Sequence, residues 1–139
     1  TLLGDGDDKI KAQLFSFIKP EQVCFVGLRD VDEDENRYIV QHHMVSLPDA
    51  NYSRIAQAVQ EKGYGKVYIH VDLDILAKEE YRYSLYPTGG DFRVDEVVEI
   101  VEKLRNDFDV VGLCITESVA TTPEELAPVT AILDQARKI

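Results

Sequence analysis

Apolar positions along this chain switch between two spacings, and the switching predicts helices alternating with strands. Ile10, Leu14, Phe17 and Ile18 fall on one helical face, and Pro20 closes that helix. Residues 22–28 form a compact apolar strand. The acidic stretch 29–36 that follows reads as a loop, and a short strand is expected around residues 44–47, closed by Pro48 and Asp49. Tyr52, Ile55, Ala56 and Val59 make a second helical stripe, stopped by Gly63 and Gly65. Residues 66–74, Lys-Val-Tyr-Ile-His-Val-Asp-Leu-Asp, have the β-branched and aromatic content of a buried parallel strand. Residues 78–91 lack periodicity and form a loop. Val94, Val97, Val98, Val101 and Leu104 define a third helix, and residues 109–117 a fourth strand. For the last helix, Thr122 suits the N-cap, Pro123 the first helical position and Glu125 a capping box. Leu126, Val129, Leu133 and Ala136 are its expected buried face.

Strands that are almost continuously apolar, alternating with helices, predict an α/β fold. Its expected form is three α-β-α layers around a mainly parallel sheet covered on both sides. The 139 residues suffice for one domain with a real core, spanning residues 1–139, and no internal repeat interrupts it.

In such sheets ligands bind at the carboxyl ends of the strands. That rule sets three acidic groups along one rim: Asp30, Asp32 and Glu35; Asp72 and Asp74; and Glu117. On a strand, Asp72 and Asp74 share a face, because side chains two apart point the same way. Burying both charges unpaired costs several kcal/mol or forces one to protonate, roughly. A divalent cation such as Mg²⁺ or Mn²⁺ resolves the conflict with hard oxygen ligands. The plainer alternatives stay open: an Asp-x-Asp as a turn or helix cap, and residues 30–35 as a solvated charge run.

Composition narrows the partners. A net charge of −11, from 26 acidic against 15 basic residues, argues against nucleic acid and against an anionic membrane. No apolar run has the length of a membrane span, and no signal peptide opens the chain. Cys24 and Cys114 sit in apolar runs as small buried residues with no call for a disulfide, which suits a cytoplasmic setting. Thr1 in place of Met points to processing or to a shortened chain.

Three motifs carry a family resemblance. Gly27-Leu28-Arg29-Asp30-Val31-Asp32-Glu33-Asp34-Glu35 resembles the arginase segment in which an Asp, and a Glu three positions on, recognise the substrate's α-amino end. His70-Val71-Asp72-Leu73-Asp74 resembles the Ser-Phe-Asp-x-Asp signature of the ureohydrolase family. Gly112-Leu113-Cys114-Ile115-Thr116-Glu117 resembles the strand whose terminal Glu holds a guanidinium, at an ungapped interval from Asp74. Thr121 to Glu125 is similar to the start of the family's final helix, and residues 1–4 to the stretch after its first metal cluster.

The resemblance implies the carboxyl-terminal half of an arginase-like fold. It implies Asp72 and Asp74 as ligands of two Mn²⁺ ions, Glu117 as the catalytic group orienting the guanidinium, and Asp32 and Glu35 as substrate-binding. The implied reaction is hydrolysis of a guanidino compound such as arginine to urea and an amine, by a metal-bound hydroxide. The implied partners are a small guanidino substrate and further copies of the chain as a homo-oligomer. The family's Asp-x-His-x-x-x-Asp ligands are absent from this sequence, so the chain alone is expected to be inactive. The family's Leu-Asp-Pro is here Ile75-Leu76-Ala77, and its Gly-Thr-Pro loop falls on Leu85-Tyr86-Pro87. Gly89-Gly90 is one position off, and His70 replaces a serine, as an added ligand or a core histidine. The alternative function is a non-catalytic arginase-fold module for binding or oligomerisation. An unrelated α/β domain holding one Mg²⁺ is a third reading, without a matching Lys and Ser/Thr set.

Overall fold

The computed structural model describes residues 3, 6–86 and 89–139. Its elements run in chain order as α1 (Asp8–Lys11), β1 (Cys24–Val26), α2 (Glu33–Gln41), β2 (Val45–Leu47), α3 (Tyr52–Glu61), β3 (Lys66–Asp72), α4 (Val94–Asp107), β4 (Asp109–Thr116), α5 (Pro123–Leu126) and α6 (Thr130–Ala136). All strand pairing between named strands is parallel, β1 with β2 and β3 with β4, so the α/β reading holds. The described strands form two parallel pairs rather than one continuous ladder.

The pairs share an apolar interior. Val71, Leu73, Leu76, Tyr81 and Phe92 pack with Val97 and Val101 of α4 and with Val129 and Ile132 near the chain's end. A smaller cluster joins Leu47 of β2, Ile55 and Ala58 of α3 and Leu104 of α4. Val26 and Ile69 touch both clusters and so tie the strand pairs together. Residues 67, 69 and 71 of β3 face this core. The alternate residues Tyr68 and His70 face outward and are exposed, Tyr68 at 64%. The expected cover on both faces of this sheet is therefore present on one face among the described residues. Gly112 serves the open face, since any side chain there would meet the Tyr68 ring 2.8 Å away.

Several elements depart from the periodicity. The helix expected from Ile10 to Ile18 ends at Lys11, because most of its stripe has nothing to bury against: Ile10, Phe17 and Ile18 are exposed and Leu14 is only half-buried. The stretch read as an acidic loop instead opens α2. Asp32 accepts from the Glu35 amide (2.8 Å) and Glu35 from the Asp32 amide (3.2 Å), a reciprocal capping box. The first strand is shorter than residues 22–28, spanning Cys24–Val26. Cys24 and Cys114 are both free and only half-buried. The Thr122 cap and its Glu125 partner form as expected. Pro128 then breaks the run into α5, a 3₁₀ turn and α6, with Val129 and Ile132 fully buried.

Two glycines fix the β3 exit. A Cβ on Gly90 would lie 1.7 Å from the Ile75 carbonyl oxygen, and one on Gly27 would lie 2.8 Å from both Ile75 and Phe92. Gly27 also has φ +71°, a backbone region costly for other residues. Backbone bonds from Phe92 to Ile75 (3.3 Å) and from Ala77 to Phe92 (2.8 Å) complete the clamp.

Gly90→Ala should destabilise the chain by about 3 kcal/mol or more, since backbone rather than a flexible side chain blocks the new methyl. Gly65→Ala, with open space around it, should be close to neutral in the same urea titration. Glu125 accepts from the Thr121 amide (2.7 Å), and these bonds hold its carboxyl below the ordinary range. A lowered folded value means the contribution is present above the unfolded value and is lost as pH falls through the folded one. Glu125→Gln should therefore flatten the acid limb of a stability-against-pH curve below about pH 5.

Candidate functional site

β3 delivers Asp72 to the sheet's rim, and the chain then turns. Residues Leu73–Ile75 form a 3₁₀ turn capped by Asp72, whose Oδ1 accepts from the Asp74 amide at 3.1 Å. Leu73 is 1% exposed and anchors this turn in the core. Asp74 thus leaves the strand, so its nearness to Asp72 comes from a turn and not from the two-residue repeat of a pleat. Burial is the main cause that pushes the Asp72 carboxyl above its ordinary value, with the Asp74 charge adding to it. The Asp74 amide and His70 act in the opposite direction.

Asp74 has a cation of the chain's own. Arg29, just past β1, donates to Asp74 Oδ1 at 3.2 Å and also to the Asp74 backbone carbonyl, while its Nη1 reaches the Gly27 carbonyl at 3.3 Å. This guanidinium therefore joins the carboxyl ends of β1 and β3. His70, on the outward face with Asp72, is not a core histidine: it is exposed and its Nε2 lies 3.2 Å from Thr116 Oγ1.

Thr116 is the register partner of Asp72, which sets Glu117 at the neighbouring strand end. Glu117 has φ +66°, the left-handed region that a non-glycine residue occupies at a cost of order 1–2 kcal/mol. Its Oε2 is buried and has no hydrogen-bond partner among the described residues. The following residues pair with the long loop. Ser84 and Ser118 form an antiparallel bridge, with Leu85 donating to the Glu117 carbonyl (3.0 Å) and Val119 to the Tyr83 carbonyl (2.8 Å). Tyr81 and Ser118 share a hydroxyl contact of 2.6 Å.

The structure thus brings Asp72, Asp74 and Glu117 to adjacent strand ends. Asp32 and Glu35 meet each other through their capping box, which occupies one oxygen of each. Leu85 and Tyr86 are exposed, whereas Pro87 lies outside the described residues, as do residues 1, 2 and 4 of the opening stretch. Sequence reasoning missed Arg29 as the partner of Asp74 and missed Ser84. Neither leaves a spacing signal, because each depends on a loop folding back across the sheet.

The donor set does not make a complete metal centre. Among the described residues no three Asp, Glu, His or Cys side chains gather around a point where an ion could sit. Asp72 and Asp74 offer hard oxygens, but one oxygen of each is already engaged, by the Asp74 amide and by Arg29.

Such a site on such a sheet defines an α/β protein with an acidic rim at its strand ends. The chain belongs to the arginase family, whose profile matches residues 10–131. No curated protein sequence matches it. Among solved structures it is similar to the arginase of Entamoeba histolytica in complex with L-ornithine: 16% identity, TM-score 0.85, covering 99% of this chain and 50% of that one. A Bacillus subtilis arginase superimposes with TM-score 0.81 at 19% identity, over 97% of this chain and 52% of that one. Formimidoylglutamase from Bacillus subtilis gives TM-score 0.65 at 20% identity, over 78% and 38%. At these identities the likeness is one of fold, and the chain spans about half the length of the arginases it matches.

Both partners of the Arg29–Asp74 pair are less than a third exposed, so the pair is only partly screened. Arg29→Met should lower the stability of the metal-free chain by about 1–3 kcal/mol in urea titration. In an Asp74→Asn background the same change should cost measurably less. Equal cost in both backgrounds would show that the two side chains are not coupled.

Proposed function

We propose that this chain supplies the strand-end acids of a ureohydrolase, which cleaves a guanidino C–N bond to give urea and an amine. The observation that supports this most is Glu117, a carboxylate oxygen buried without a partner on a strained backbone, beside Asp72 and Asp74. A buried unpaired acceptor costs free energy and invites a cationic donor. A planar guanidinium offers several N–H groups in a fixed fork, and Glu117 would orient it by charge and hydrogen bonding. Asp32 and Glu35, with their unengaged oxygens, would receive the far amine of an amino-acid substrate. Asp72 and Asp74 would form part of the ligand set for two Mn²⁺ ions, the remaining donors being other residues. A homo-oligomer in the cytoplasm completes this reading, and no helix among the described residues is long and apolar enough to cross a membrane.

A second reading keeps the arginase fold as a non-catalytic binding or oligomer-forming module. The Arg29 guanidinium on Asp74 favours it, as does the open face bearing Tyr68 and Val111.

Calorimetric titration of the chain with Mn²⁺ should give weak binding, and urea release from arginine, agmatine, guanidino acids or formimino compounds should be negligible. Tight binding of two ions would overturn the proposed incompleteness. When the missing donors are supplied by a complementing arginase-fold segment carrying Asp-x-His-x-x-x-Asp, urea should appear with one of these substrates. Persistent absence of urea from a folded, Mn²⁺-loaded complex would favour the non-catalytic module.

A further inference from the structure

Residues 9–19 stand apart in a chain of net charge −11: they carry three lysines and two phenylalanines, with no Asp or Glu. Their apolar side chains meet solvent. Ile10, Phe15, Phe17 and Ile18 are exposed, Phe15 wholly so, and a contiguous apolar patch of this kind marks an interaction surface. Elsewhere in the chain, α4 and α6 border an open groove of about 460 Å³. Val94, Val98 and Ala131 supply its apolar lining. Its polar lining is acidic: Glu80, Asp95, Glu99 and Glu102 against the single cation Arg93. Asp95 holds Arg93 (2.8 Å), Glu99 holds Lys103 (2.5 Å) and Glu102 holds Lys138 (3.5 Å). All three are exposed pairs, which are worth little in water and exchange partners readily. Glu80 accepts from the Val94 amide (3.1 Å) and keeps its charge.

We propose that residues 9–19 of one copy dock in the α4–α6 groove of a second copy, aromatic side chains on its apolar lining and lysines on its acids. The inference gives the homo-oligomer a surface and does not depend on the guanidino reading. Charge selects the occupant. Copies of a chain this acidic repel one another, so their contact has to run through a locally cationic segment. The segment does not fill the groove of its own chain, since its side chains remain exposed. Residues 14–19 lie outside helix and strand, so they can follow a groove without unfolding an element. Two copies that exchange segments make the same contact twice and close a dimer, in which each covers the other's apolar patch.

Sedimentation equilibrium over a range of chain concentrations should show a reversible dimer that added salt weakens. Phe15→Ser should weaken the dimer at least about tenfold. Its thermal melt, taken where both chains are monomeric, should not move, because Phe15 is wholly exposed in its own chain. Lys19→Glu and Glu99→Lys should each weaken the dimer as well. Mixed in equal amounts, those two variants should pair with each other in preference to themselves. The mixed dimer has one native contact and one with its charges exchanged, whereas each parent dimer has two mismatched contacts. A chain that stays monomeric at high concentration would overturn the proposal, as would a mixture without that preference. A dimer indifferent to Phe15→Ser and Glu99→Lys would overturn it by assigning the contact to another face, such as that of Tyr68. Association that salt strengthens would do the same, since it would show apolar contact without charge complementarity.

Discussion

The close approach of Gly90 to the Ile75 carbonyl is the constraint on which the site depends. The space there excludes even a methyl group, so the long loop returns flush against the turn carrying Asp74. Gly27 does the same from the end of β1, and Leu73 fastens the turn from below. The turn is thus held on three sides by groups with no chemistry of their own. Interiors are packed too densely for it to drift, so the positions of Asp72 and Asp74 follow from this packing. A functional carboxylate on a free loop would lose that preorganisation.

Charge balance is the second constraint. Asp72 is pushed towards its neutral form by burial and by Asp74, while Arg29 partly compensates Asp74. Two neighbouring acids thus share the rim with one guanidinium of the chain's own. Any cation arriving at this rim competes with a guanidinium tied to two backbone carbonyls as well as to a carboxylate. One oxygen of each of Asp72 and Asp74 is already engaged, so carboxylates at adjacent strand ends do not by themselves amount to a metal centre.

Much of this was legible in the sequence where local and tertiary preferences agree. The 3.6-residue stripe of α4 and the Thr122–Glu125 capping box both formed, the first by burying Val97, Val101 and Leu104 and the second by satisfying the first amides of α5. The alternation of helix with parallel strand held as well. Legibility failed where a pattern lacked its partner surface: Ile10 to Ile18 has helical spacing but nothing to bury against. It failed again where one pattern served two structures. Asp32 and Glu35 read as a charge run or a substrate pair, whereas a carboxylate and a Glu three residues later also close a helix start. Asp72 and Asp74 read either as one face of a strand or as a turn or cap, and the turn, capped by Asp72, is what brings them together. The Arg29–Asp74 and Ser84–Ser118 pairings join distant segments, and no window of sequence contains them.

Glu117 separates the demands of stability from those of function. A glycine at φ +66° would be free of the strain that Glu117 bears, and a shorter residue would bury no orphaned oxygen. Folding alone thus gives no reason for glutamate at this position. The fold offsets the cost through the neighbouring bridge, where Leu85 and Val119 donate across it and Tyr81 joins Ser118. Strain and an unmatched acceptor persist together only where the surrounding packing over-determines them. On the proposed reading of Glu117 as the acceptor of a cation, that pairing is what the site requires, because the compensating hydrogen bonds would then form on binding and not on folding.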